Sequence, residues 1–136
     1  MKKFLIYIAL FIAVFCFAGC GASSDNSSAD TDAEAVTEIG GGKTSFSLEV
    51  TNGENAQKFL VKTDKTTVGD ALFEVGLIAG NETDDGFFIT TVNGITANYD
   101  AEGTYWVFYA GGAYAQTAAF DTSISQGETY AFKLEH

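Results

Sequence analysis

Few side chains in this 136-residue chain have the chemistry of a catalyst. The only histidine, His136, is the last residue, a position more typical of a frayed terminus than of a base or a ligand. No nucleophile elbow, P-loop or His/Cys metal cluster is spelled anywhere. Asp84 and Asp85, flanked by Glu82 and Gly86, offer carboxylates to a hard cation such as Ca²⁺, but they lack EF-hand spacing and read better as a solvated loop. The expectation is a protein that is not an enzyme, has no metal site and requires no cofactor. What remains is aromatic: Thr104-Tyr105-Trp106-Val107-Phe108-Tyr109, with Tyr114 close behind. Tyr and Trp combine an apolar ring with a polar handle, which is recognition chemistry rather than reaction chemistry. Tyr105, Trp106, Tyr109 and Tyr114 are therefore the candidate ligand-binding residues.

The aromatic segment needs a sheet to hold it, and the flanking sequence supplies one. Ser45-Phe46-Ser47-Leu48-Glu49-Val50 alternates polar and apolar residues, the period of a strand with one wet face. Asn52-Gly53 gives turn chemistry, and Lys58 to Thr63 reads as a second strand, joined to the first by a loop somewhat longer than two residues. Val68, Ala71, Leu72 and Val75 then fall on one helical stripe, with Thr67 as N-cap, Asp70 in the first turn, and Gly76 or Gly80 to end it. Asn81 to Gly86 reads as a polar loop, Phe87 to Val92 as a strand, and Asn93-Gly94 as a turn. After the aromatic strand, Gly111-Gly112 breaks the pattern. A less regular stretch leads to the last strand, Thr129 to Leu134, with Tyr130, Phe132 and Leu134 on one face. This order predicts an α+β fold in which one helix packs on a mixed or antiparallel sheet of about five strands.

The N-terminal residues set the location. Lys2-Lys3, an apolar run from Phe4 to Phe17 and Ala18-Gly19-Cys20 resemble a bacterial lipoprotein signal peptide, in which cleavage precedes a lipidated cysteine. Residues 1–19 are thus expected to be removed and Cys20 to carry the lipid. The alternative, an uncleaved anchor, is disfavoured because the apolar stretch falls short of the ~20 residues a spanning helix needs. Cys16 leaves with the signal, so no thiol remains for a disulfide, a nucleophile or a metal. Residues 20–43, rich in Ser, Ala, Asp, Thr and Gly, read as a flexible tether, and residues 44–136 as the folded domain. The expected location is the cell membrane, lipid-anchored on its extracytoplasmic face.

Charge narrows the partners. The chain carries a formal −11, has no Arg, and becomes more acidic when Lys2 and Lys3 leave with the signal. A nucleic-acid binder needs a basic footprint, so nucleic acid is excluded as a partner. Attachment to the membrane rests on the lipid at Cys20, because this negative field is repelled by anionic headgroups.

One helix can shield only one side of the sheet, yet both sides of the aromatic strand are apolar: Trp106 and Phe108 point one way, Tyr105, Val107 and Tyr109 the other. Three outcomes are open. Residues 113–124 fold across the side away from the helix and bury it, that side is an exposed binding surface, or the case is mixed, with Tyr hydroxyls and one ring edge accessible at a rim.

Four segments together resemble a known family: Thr66-Thr67-Val68-Gly69-Asp70-Ala71-Leu72, Ile89-Thr90-Thr91-Val92-Asn93-Gly94, Thr104 to Tyr109, and Gly127 to Leu134. They look like the transcobalamin-like C-terminal domain, found at the end of cobalamin carriers and in many bacterial surface proteins. The resemblance implies a β-grasp-like fold and a share in a corrinoid (cobalamin) site, with Tyr105 and Trp106 matching the family's aromatic motif. In the carriers that site is shared with a helical barrel domain; here only the tether precedes the domain. The expected function is a membrane-anchored binding module, with a corrinoid as ligand in support of uptake and a membrane transporter or surface protein as partner. The alternative is a protein-interaction or adhesion module with no small-molecule ligand.

Overall fold

A computed structural model describes residues 35–136. The expected signal peptide, Cys20 and most of the expected tether lie outside the described residues.

The alternating segments form β2 (Thr44–Asn52) and β3 (Asn55–Thr63), antiparallel strands that bury Phe46, Leu48, Val50, Phe59 and Val61. Their link is a two-residue turn, Gly53-Glu54, shorter than expected. The polar ends of both strands keep pairing beyond the alternating run, out to Asn52 opposite Asn55. The helical stripe forms α1 (Val68–Glu74). Thr67 caps it, accepting from the Asp70 amide at 3.3 Å and donating to Asp70 Oδ2 at 2.8 Å, so one side chain satisfies an otherwise orphaned donor. Val68, Ala71 and Leu72 face the core.

Next come β4 (Ile78–Thr83), β5 (Gly86–Val92) and β6 (Ile95–Thr96). They are followed by a short helix α2 (Tyr99–Glu102), β7 (Tyr105–Ala110), β8 (Ala113–Tyr114), a single 3-10 turn (Ala119–Asp121) and β9 (Thr129–Glu135). Ahead of them all lies β1 (Val36–Gly40). One mixed sheet has the order β1-β3-β2-β9-β7-β8, with β1 parallel to β3 and β9 parallel to β2; a second, antiparallel sheet has the order β4-β5-β6.

The architecture agrees with α+β but corrects the expectation of one sheet of about five strands: there are two sheets, the larger with six. The segment from Asn81 that reads as a polar loop is mostly strand. Its residues are exposed, so they show no apolar alternation, and pairing with β5 alone defines the strand.

The tether expected over residues 20–43 is also corrected in part, because Val36–Gly40 is an edge strand. It packs little beyond Ile39 against the core, and its pairing with β3 is backbone work that composition does not reveal. Glu38 adds an ion pair with Lys62 at 2.7 Å. The glycine run that resembles a linker crosses the end of β3 at close range. A Cβ on Gly42 would overlap the Thr63 carbonyl, and one on Gly40 the Lys62 carbonyl. The Lys43 amide then donates to Asp64 Oδ1 at 3.0 Å, fixing the crossing.

The core lies between the six-stranded sheet and the layer formed by α1, Ile78 and Val92. Beyond β8, the stretch 119–124 enters this same layer. Ala119 is buried in the core, Ser123 bridges Thr67, and the Val68 and Ile124 amides bond to the Thr122 and Thr66 carbonyls at 2.9 Å. It therefore runs beside α1 and does not cross the opposite face. Among the described residues nothing covers the outer face of the six-stranded sheet.

Candidate ligand-binding site

Alternation along β7 divides the four candidate residues. Trp106 and Phe108 pack on the core, whereas Tyr105 and Tyr109 point to the outer face, where Tyr109 stands opposite Tyr114. The structure thus brings Tyr105 together with Trp106 at the start of the strand, and Tyr109 together with Tyr114 at its end.

At the first location a notch of about 90 Å³ lies between β5, α2 and β7. Its walls include Phe88, Ile89, Tyr99, Tyr105 and Trp106. Trp106 is half-buried, and its indole Nε1 donates to the Ile95 carbonyl of β6 at 3.1 Å, which holds the ring in place. Asn98 fixes α2, which supplies Tyr99 to the opposite wall. Its side chain accepts from the Ala101 amide at 3.1 Å to cap α2, and its own amide donates to Thr104 Oγ1 at 2.9 Å. That short helix holds Tyr99 with its ring centre 6.4 Å from that of Tyr105. Three of the rings are well exposed: Tyr99 at 71%, Phe88 at 60% and Tyr105 at 40%. Large aromatic surfaces left in water around an apolar notch mark a place where something binds.

Tyr99 and Phe88 were not singled out from the sequence. For Phe88 a signal existed. In the Phe87-Phe88 pair a strand must turn one ring away from the other, so both cannot serve one core. For Tyr99 only the Asn98 cap signal was available, and it does not say which way the ring will point.

At the second location the Tyr109 and Tyr114 rings lie 4.7 Å apart, Lys133 Nζ sits 4.7 Å from the Tyr109 ring centre, and Tyr109 donates to Glu135 Oε1 at 3.3 Å. Hydrogen bonding with Tyr114, then partial burial and the nearby Glu135 carboxylate, hold the Tyr109 phenol above its ordinary value. Tyr109 is therefore held in its neutral, hydrogen-bonding form.

Asp84 and Asp85 form the exposed turn between β4 and β5. Among the described residues no three His, Cys, Asp or Glu side chains come together in a way that would hold a metal ion. Cys20 lies outside the described residues.

A family profile described as "Domain of unknown function (DUF4430)" matches residues 65–136, more than half of the chain. The chain belongs to the DUF4430 family. The match begins just before α1 and runs through β9, so it includes the notch and the Tyr109–Tyr114 pair, while the β2–β3 hairpin lies upstream of it. Two solved structures resemble this DUF4430 chain. One is a candidate metal-binding protein from Ruminococcus gnavus ATCC 29149, with 28% identity, a TM-score of 0.64, and coverage of 69% of this chain and 98% of that one. The other is haptocorrin in complex with Cbi, with 21% identity, a TM-score of 0.54, and coverage of 68% of this chain but 25% of haptocorrin. The latter likeness is one of fold, and the shared fold amounts to a quarter of that larger protein. No curated protein matches the sequence.

Proposed function

We propose that this DUF4430 chain is a lipid-anchored, extracytoplasmic binding module that holds a corrinoid against the notch between β5, α2 and β7, and that it is not an enzyme. The observation that carries the reading is the exposed trio Phe88, Tyr99 and Tyr105 around an apolar notch backed by Trp106. The fold shared with haptocorrin, solved with Cbi, supports the choice of ligand class. The packing of α1 on a mixed sheet supports a β-grasp-like reading of that fold.

Size decides how such a ligand is held. Pockets that enclose a drug-sized molecule measure about 300–1,000 Å³, and the notch is about 90 Å³. A macrocycle is not swallowed; one edge of it meets the notch while the rings of Tyr99 and Tyr105 pack on its face and their hydroxyls meet its peripheral amides. The other face stays open to a partner, in this reading a membrane transporter or surface protein that completes the site. Among the described residues no three metal donors converge, so the reading here rests on the aromatic notch and not on the metal-binding description of the Ruminococcus gnavus protein.

The test is a calorimetric and absorbance titration of the full chain with cyanocobalamin and with base-free cobinamide. Saturable binding that is lost in Tyr105→Ala and Tyr99→Ala is the expected result. Both rings are exposed, so these variants keep the fold. No heat and no spectral shift at millimolar ligand overturns the corrinoid reading and leaves the protein-interaction reading in its place. Anchoring is tested separately by intact mass: a lipid-sized increase on a chain beginning at Cys20, absent in Cys20→Ser, is expected.

A further inference from the structure

The outer face of the six-stranded sheet carries a groove that the corrinoid reading leaves unused. Two cavities lie along it, of about 310 Å³ and about 150 Å³, and they share Glu49 and Thr129. The larger runs across β1, β3, β2 and β9 past Val36, Ser47 and Lys58. The smaller has Ala131 and Thr129 as floor, the Tyr109 ring as wall, and Glu49 and Lys133 at its sides. Beyond it stands Tyr114, 63% exposed, its ring tilted against that of Tyr109. Together they make one shallow trough that crosses the strands and ends on an aromatic pair. The combined space falls within the range of real ligand sites, unlike the notch.

The lining says what fits. In a sheet interior the backbone donors and acceptors are already spent on neighbouring strands, so a ligand lying on this face is read through side chains alone. That disfavours an extended peptide, which needs a strand edge. The side chains present are hydroxyls (Ser47, Thr129, Tyr114), carboxylates (Glu49, Glu135), ammonium groups (Lys58, Lys133) and tyrosine faces. Both signs of charge are interleaved along the trough in a domain that is otherwise strongly acidic, so the surface selects for neither a cation nor an anion. A neutral ligand with many hydroxyls and one apolar face answers all of these groups. Carboxylates accept from vicinal hydroxyls, ammonium groups donate to ring and hydroxyl oxygens, and a tyrosine face packs on the C–H face of a pyranose ring.

We propose that this trough is a second binding site, distinct from the notch, that holds a neutral oligosaccharide across the strands with its terminal ring on Tyr109 and Tyr114. The site does not depend on corrinoid binding. The notch lies at the start of β7, by Tyr105 and Trp106, and the trough reaches its end, by Tyr109, so the two ligands meet different stretches of the strand.

The experiment titrates the full, ¹⁵N-labelled chain with three named probes, cellotriose, maltotriose and N,N′,N″-triacetylchitotriose, following amide shifts and heat. The expected result is saturable binding of at least one trisaccharide, with shifts at Tyr109, Thr129, Ala131 and Lys133. Affinity should weaken about tenfold in Tyr114→Ala, the loss of one stacking ring. Tyr114 is exposed on a two-residue edge strand, so this variant keeps the fold. Glu49→Gln provides a second, isosteric check and should weaken binding while leaving shape unchanged. In both variants the cobinamide titration should match that of the unmodified chain. The proposal is overturned by the absence of saturable shifts at tens of millimolar for all three probes, by shifts that map to Tyr99, Tyr105 and Trp106 instead, or by unchanged binding in both variants.

Discussion

Replacing Gly69 with alanine separates what helix propensity expects from what packing dictates. Gly69 lies in the first turn of α1, and on propensity alone Gly→Ala in a helix stabilises by up to about 1 kcal/mol. The structure reverses the sign. A Cβ built at Gly69 lies 2.5 Å from the Phe120 ring and 2.7 Å from the Phe120 Cα. The second contact is to backbone, so no rotamer change relieves it, and the 3-10 turn that carries Phe120 must move. That turn is pinned by Ala119 in the core and by the Val68 amide on the Thr122 carbonyl. The Phe120 ring also packs on Phe87 at 4.7 Å between centres. Overpacking of this kind costs roughly 1–3 kcal/mol, so after offsetting the propensity gain of about 1 kcal/mol the net change is a destabilisation of up to roughly 2 kcal/mol. Each kcal/mol lowers Tm by roughly 4–8 °C in a domain of this size. Thermal unfolding followed by far-ultraviolet circular dichroism, repeated with urea to check that the slope is unchanged, measures it. Gly41→Ala is the control. Gly41 is not in a left-handed conformation and a Cβ there meets nothing within 4 Å, so its stability should stay near that of the unmodified chain. If Gly69→Ala is as stable as the unmodified chain or more so, the close approach of the 3-10 turn to α1 is not native packing.

Three further outcomes follow from the same structure. Gly42→Ala should release β1 from β3, seen as faster hydrogen exchange at residues 36–40 with protection elsewhere retained, because the new Cβ overlaps the Thr63 carbonyl. Tyr109 has its pKa raised in the folded state, so its contribution to stability is fully present below the ordinary tyrosine value of about 10 and is lost as pH rises above it. Urea unfolding across that alkaline range should show a stability loss that is shallower in Tyr109→Phe. Trp106→Phe removes the donor to the Ile95 carbonyl and should cost about 1 kcal/mol by urea unfolding; a larger loss of corrinoid affinity than of stability would mark the ring as a ligand contact.

The sequence by itself determined the elements whose reasons are local. Alternation of Phe46, Leu48 and Val50 fixes which face of β2 is wet, because side chains on a strand have a period of two. The Thr67 cap and the Val68, Ala71, Leu72 stripe fix α1 and the side it buries. The grouping of Tyr130, Phe132 and Leu134 on one face of β9 was legible for the same reason. So was the chemical character of the candidate residues, aromatic and hydrogen-bonding.

Tertiary structure decided whatever depends on a partner distant in sequence. β1 looks like linker because glycine and small polar residues are common to linkers and to close backbone crossings, and only the carbonyls of Lys62 and Thr63 tell the two apart. Beyond Ile78, β4 carries no apolar period because its outer residues, Asn81 to Thr83, are exposed, so pairing with β5 defines that part of the strand. The four candidate aromatics are a single cluster along the chain but two sites in space. A strand sends successive side chains to opposite faces, and which face is covered depends on where residues 119–124 pack. They pack beside α1, which buries the Trp106 side and leaves Tyr109 and Tyr114 on open sheet.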